Sequence, residues 1–105
     1  MEKIVGVCAC PAGIAHTYMA AESLENTAKR RGYSMKVETN GSGGVENRLT
    51  DEDIEEAKYV VIAADTKVEM ERFRGKKLIE ISVTDAIRKT EELFDTIDND
   101  SLEEY

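Results

Sequence analysis

The chain has 105 residues, 41% hydrophobic and 34% charged, with a formal net charge of −8. That length and balance support one globular domain with one modest core, and exclude a disordered chain. The charge argues against nucleic acid or an anionic membrane as the main partner, and no apolar run approaches the ~20 residues needed to span a bilayer. Two cysteines only two positions apart make no disulfide framework, so reduced thiols and a cytoplasmic setting are expected. The opening Met1-Glu2-Lys3 leads directly into the first predicted strand, which leaves no room for a secretion signal.

Ile4–Cys8 is a short, continuously apolar run and predicts a strand buried on both faces. The amphipathic segment 17–31 follows, with Tyr18, Ala21, Leu24 and Ala28 at helical spacing and Gly32 where a helix end favours positive φ. Tyr33–Thr39 predicts a second strand, and Asn40–Gly44 a flexible glycine-rich loop. Thr50 and Asp53 have capping-box spacing for a short helix ending near Ala57. Tyr59–Ala64 is the strongest strand in the chain. Thr66 and Glu69 suggest a second capping box, for a helix ending at Gly75. Lys77–Ser82 predicts a fourth strand, and the apolar positions from Val83 to Ile97 trace one face of a final helix. The order βαβαβαβα calls for an open, four-stranded parallel sheet flanked by helices in a single domain, with right-handed crossovers. Residues 98–105 are acidic and aperiodic, and are expected to be a frayed tail, a linker or an appended remnant.

In such sheets ligands bind beyond the carboxyl ends of the strands, where the strand order reverses. If the first strand is central, Cys10 lies at that point, in a small-residue loop at the mouth of a helix. A helix start presents unpaired N–H groups and partial positive charge, which favour a thiolate and cradle a phosphate. Cys10 is therefore the candidate nucleophile, and Pro11, Ala12, Gly13, Ile14, Ala15, His16 and Thr17 form the candidate phosphate-binding loop. Cys8 lies inside the strand and reads as core. A soft-metal site from Cys8, Cys10 and His16 has three ligands on one short loop and no fourth, which is thin support, so no metal is expected.

His16 lies six positions after Cys10, where thiol-based phosphatases carry an arginine whose fork clamps the phosphoryl oxygens. With imidazole there instead, a phosphocysteine would be held but poorly hydrolysed, which suits a carrier rather than a hydrolase. Asp65, at the end of the strongest strand, should share the sheet edge with Cys10. Its readings are a cap or a base. Gly41 belongs to a second anion-binding lip or to a plain turn. Arg72 and Arg74 read as a solvated pair near a helix end. A small cysteine-dependent phosphatase and an anion-binding regulatory module are the alternatives to a carrier.

The run Cys10-Pro11-Ala12-Gly13-Ile14-Ala15-His16-Thr17, followed by Met19–Glu22, Val37–Gly44, Ala63-Ala64-Asp65, Arg72-Phe73 and Gly75-Lys76, resembles the fructose-type enzyme IIB domain of the bacterial phosphoenolpyruvate-dependent sugar phosphotransferase system. The matching pieces span nearly all of residues 3–95, and the first motif is the specific one. The resemblance implies that Cys10 takes a phosphoryl group from a histidine of enzyme IIA and passes it to a sugar, fructose by the same resemblance, held by the membrane enzyme IIC. It implies no metal or organic cofactor, and a cytoplasmic domain brought to the inner face of the membrane by its partner. It implies a domain over residues 1–97 with an open parallel sheet of Rossmann-like or flavodoxin-like kind. Ala12 stands where the family often has threonine, which removes one hydroxyl donor and leaves backbone N–H groups as the main anion ligands.

Overall fold

The computed structural model describes residues 2–11, 14–41 and 44–105, with Ile14 described in its backbone alone. Strand β1 (Lys3–Ala9) is followed by α1 (Ile14–Arg30), β2 (Ser34–Gly41), β3 (Gly44–Glu46), α2 (Asp51–Glu56) and β4 (Tyr59–Ala64). A short 3₁₀ turn (Glu71–Phe73), β5 (Lys77–Ile81), α3 (Val83–Arg88), α4 (Thr90–Asp98) and β6 (Glu103–Glu104) complete the chain. One sheet holds the strands in the order β3-β2-β1-β4-β5-β6. The pairs β1–β2, β1–β4 and β4–β5 are parallel, while β3 and β6 run antiparallel at the two edges.

The expected four-stranded, all-parallel sheet is thus corrected to a six-stranded mixed one. Three of the expected elements also change. The helix expected between Thr66 and Gly75 is only the 3₁₀ turn, whose N-cap residue Met70 makes no side-chain cap. Asn40–Gly44 is not simply a loop, because Asn40 and Gly41 pair across a hairpin with Val45 and Gly44. The final helix breaks at Lys89, where the Thr90 hydroxyl bonds back to the carbonyls of Ala86 and Ile87 and competes with helical pairing.

Side-chain alternation along the strands divides the core in two. On one face Ile4 and Cys8 of β1 and Tyr59, Val61 and Ala63 of β4 pack against α1, α3 and α4. On the other, Val5, Val7, Val60 and Ile62 pack against Leu49, Ile54 of α2 and Phe73. Phe73 and Phe94, one in each half, are fully buried, each worth about 1.5–3 kcal/mol relative to exposure. Helix α1 buries Ala21, Leu24 and Ala28 as its spacing predicts. Tyr18 departs from the pattern: its ring is exposed and its hydroxyl donates to Glu46 of β3. Gly32 ends α1 at φ +83°, with its own N–H bonded to Lys29 O and the Tyr33 N–H bonded to Ala28 O, a closure that only a residue tolerant of that φ makes cheaply. The predicted capping box at Thr50 and Asp53 is formed in both directions.

The segment 98–105, expected as a tail, lies against the sheet. Leu102 is buried, Glu103 and Glu104 pair with Leu78 and Lys77, and the Tyr105 N–H donates to Lys76 O at 2.9 Å. Among the described residues, no helix is long and apolar enough to cross a membrane.

Candidate functional site

Because β1 is central, with β2 on one side and β4 on the other, the order reverses between β1 and β4. The residues following those two strands therefore meet at the carboxyl edge of the sheet. Cys10 follows β1 and Asp65 follows β4, and the Asp65 N–H donates to Ala9 O at 3.0 Å. Both side chains continue the alternation that places Cys8 and Ala63 on the α1 face. The Cys10 thiol donates toward Asp65 Oδ2 at 3.7 Å, and His16 Nδ1 in the first turn of α1 lies 3.3 Å from the same Sγ. Asp65 Oδ1 accepts the Val83 N–H at the start of α3 at 3.2 Å, so one oxygen is held by backbone while the other faces sulfur. Cys10, His16 and Asp65 thus form one cluster, with ligand atoms all within 4.8 Å of one another. The proximity of Asp65 to Cys10 was legible from their strands.

The cysteines differ sharply. Cys8 is sealed in the core, and burial, with a smaller contribution from Glu25, pushes its thiol up to about 12. Cys10 is only 7% exposed, yet its residue lines a cleft of about 470 Å³ that opens at the carboxyl edge. Pro11, Asn40 and Gly41 also line this cleft, as do the cations Arg48, Lys67 and Arg72. Gly41 thus reaches the same cleft as Cys10 through the β2–β3 hairpin.

Of the predicted phosphate loop, Ala12 and Gly13 lie outside the described residues, and Ile14 opens α1. Ala15 is exposed, His16 half-buried and Thr17 buried. Cys8 has no place in the cluster, so the metal-ligand trio considered from sequence is recast with Asp65 in its stead.

Sequence reading missed the opposite wall. Glu38, near the end of β2, is 1% exposed. Its Oε1 accepts from Arg72 Nη1 at 2.9 Å and from the Leu49 N–H at 2.9 Å, and its Oε2 accepts from Arg72 Nη2 at 2.7 Å and from Asn40 at 3.1 Å. Burial alone would raise this carboxyl, but the Arg72 fork, the Leu49 amide and Asn40 outweigh it and hold Glu38 at about 2. Arg72 also stacks its guanidinium 4.7 Å from the centre of the Phe73 ring. It is not the solvated arginine expected, whereas Arg74 is exposed and pairs with Glu71. A charged residue late in the second strand was the available signal, but nothing in the spacing named its partner. An arginine does enter the Cys10 cleft, but its fork is already filled by a carboxylate, so it is not presented as the phosphoryl clamp of a hydrolase.

The family described as "PTS system, Lactose/Cellobiose specific IIB subunit" matches residues 5–96. The chain is 48% identical over 103 residues to the "PTS system fructose-specific EIIABC component" of Bacillus subtilis, covering 98% of this chain and 16% of that protein. It is 46% identical to the "PTS system fructose-like EIIB component 2" of Escherichia coli, covering 93% of each. A crystal structure of a domain from the fructose-specific IIABC component of Borrelia burgdorferi superposes with a TM-score of 0.93 at 46% identity, covering 99% of this chain and 98% of that one. A domain of fruA from Bacillus subtilis gives 0.89 at 46% identity, covering 99% and 100%. The fold at the sheet edge and these matches agree, and the chain belongs to the IIB family of the sugar phosphotransferase system.

Proposed function

We propose that this chain is a phosphoryl carrier on which Cys10 accepts phosphate from a phosphohistidine of enzyme IIA and passes it to a sugar bound by membrane enzyme IIC. Fructose is the favoured sugar, because the similar proteins carry fructose in their names. The observation that carries the reading is the position of Cys10 Sγ, 3.3 Å from His16 Nδ1 at the edge where the strand order reverses, with the Cys10 residue lining a cleft that Arg48, Lys67 and Arg72 share with Glu38 and Glu69. Its setting is the inner face of the membrane, reached through the partner.

The step is an in-line displacement. The Sγ–P bond forms as the N–P bond of the donor breaks, and the departing imidazole keeps the electron pair of that bond. The thiol proton moves to His16 Nδ1. In the second transfer the sugar hydroxyl attacks phosphorus and gives its proton to solvent, the S–P bond breaks with its electron pair going to sulfur, and His16 returns the thiol proton. Positioning and charge stabilisation do most of the catalysis in such reactions. Lys67 supplies positive charge at the cleft wall, where Arg48 is paired with Glu69 at 3.8 Å, and the loop N–H groups from Ala12 to Thr17 are proposed as the cradle.

Incubation with phosphorylated enzyme IIA, read by intact mass, tests the assignment. One phosphoryl group is expected on the wild type and on Cys8→Ala, and none on Cys10→Ser. Labelling that persists in Cys10→Ser and vanishes in Cys8→Ala would overturn it. His16→Asn is expected to slow transfer without abolishing it.

A further inference from the structure

The cluster at the carboxyl edge has a second chemical capacity. A thiolate, an imidazole nitrogen and a carboxylate oxygen form a donor set of the kind that binds zinc, with three protein ligands and one open position. Tetrahedral zinc with bonds of about 2.3 Å to sulfur, about 2.0 Å to nitrogen and about 2.1 Å to oxygen requires S···N and S···O edges of about 3.5 Å. The Cys10 Sγ to His16 Nδ1 and Cys10 Sγ to Asp65 Oδ2 separations are 3.3 and 3.7 Å, one on each side of that value. A ring nitrogen of His16 and a carboxylate oxygen of Asp65 also lie within 4.8 Å of each other, so the third edge must close by at most about 1.5 Å to reach tetrahedral geometry.

Support around these groups is also in place. The Val83 N–H binds Asp65 Oδ1 and leaves Oδ2 facing the sulfur, the arrangement in which an outer partner orients a metal-bound carboxylate. The three ligands come from three separate elements, the ends of β1 and β4 and the first turn of α1, so the site exists only in the folded chain. Asp65 is exposed and His16 half-buried, so the cluster borders solvent. The mix of thiolate, imidazole and carboxylate favours zinc or cobalt(II) over magnesium or calcium, which take oxygen ligands.

We infer that Cys10, His16 and Asp65 form a reversible binding site for zinc, and that occupancy blocks the sulfur from accepting a phosphoryl group. Binding stands on the geometry alone, whereas the block rests on the carrier reading. The thiol releases its proton as the S–Zn bond forms, and no electron changes hands. Metal and phosphoryl group use the same sulfur, so each excludes the other.

Cobalt(II) serves as the probe, titrated into the reduced protein and followed by absorbance. One equivalent is expected to give a sulfur-to-cobalt charge-transfer band in the near ultraviolet and the visible bands of a tetrahedral ion, all removed by zinc. Cys10→Ser, with far-ultraviolet circular dichroism confirming its fold, is expected to lose the charge-transfer band. His16→Asn and Asp65→Asn are expected to weaken binding tenfold or more, and Cys8→Ala to leave it unchanged. A missing band in the wild type, or one that survives in Cys10→Ser, would overturn the site. Zinc added to the labelling reaction is expected to halve phosphorylation at the concentration that half-saturates the site, and the phosphorylated protein is expected to bind no cobalt. Full labelling at saturating zinc would overturn the block. Failure to label without metal, in a protein that still gives the band, would instead sink the carrier reading and spare the metal site.

Discussion

The two edges of the central sheet are built on opposite principles. At the amino edge, charges are paired off. Asp53 binds Lys3 at 2.9 Å and Lys36 at 2.7 Å, Lys58 reaches Glu2, and Asp100 holds both Lys77 and the Tyr59 hydroxyl at 2.8 Å. At the carboxyl edge one wall is paired just as firmly, by Glu38 and Arg72, while the other leaves a thiol, an imidazole and a carboxylate in contact beside a cleft. The contrast separates holding the strands together from doing chemistry at their ends. Reactive groups collect where two neighbouring strands end on the same face, and the locked pair behind them keeps the cleft wall in place.

The sharpest way to break this contrast is to compare the two thiols. A group held at about 12 is ionised to only about one part in 10⁵ at pH 7. Iodoacetamide is therefore expected to modify Cys10 and spare Cys8 in the folded chain, and to modify both in urea. Peptide mapping that finds Cys8 alkylated in the native protein would remove the distinction between strand interior and strand end.

Next in size is the locked pair. Glu38→Gln leaves the Arg72 guanidinium buried without its counter-charge, and removing one partner of such a pair costs about 3–5 kcal/mol. The pH dependence has a definite sign. Glu38 falls from an ordinary value of 4.5 to about 2 on folding, so between those values the unfolded chain binds the extra proton. Its contribution of about 3 kcal/mol is present above 4.5 and lost as pH falls through 2. Urea unfolding at a series of acid pH values should show this slope in the wild type and not in Glu38→Gln. An equal slope in both would assign acid sensitivity to another carboxylate.

The smallest expected effect lies at the amino edge. Asp53 is held below the usual carboxylate range by hydrogen bonds from Lys36, the Thr50 amide and Lys3. Asp53→Asn retains a side-chain oxygen for the Thr50 amide but weakens both lysine contacts, and about 1 kcal/mol of stability should go, as typical for a partly solvated pair. Phosphoryl labelling should be unchanged. A fall in labelling rate at equal stability would show that the two edges are coupled.

These edges were unequally legible in the chain. Long apolar runs at β1 and β4, Gly32 and the Thr50–Asp53 box carry local signals strong enough to stand without their neighbours. The same runs placed Cys10 and Asp65 at one edge. The 3₁₀ turn was mistaken for a helix because Thr66 and Glu69 imitate a cap, whereas the segment is fixed by two long-range facts, Phe73 buried in the core and Arg72 bound to Glu38. Neither can be read from spacing. Strands β3 and β6 are three and two residues long, too short for any periodicity to register. Their pairing depends on the strands beside them.

Those two short strands have a further consequence. Open parallel sheets expose a row of unsatisfied N–H and C=O groups along each border, a ready template for strand exchange or amyloid-like growth. Here antiparallel stubs cover Thr39–Gly41 of one border strand and Lys77 and Leu78 of the other, and they carry Glu46, Glu103 and Glu104 on a chain already at −8. A second copy approaching those covered stretches meets a strand of two or three residues and like charge to overcome. Strand exchange at those stretches therefore works against charge repulsion, and the first of them lies next to the edge where the cysteine cleft opens.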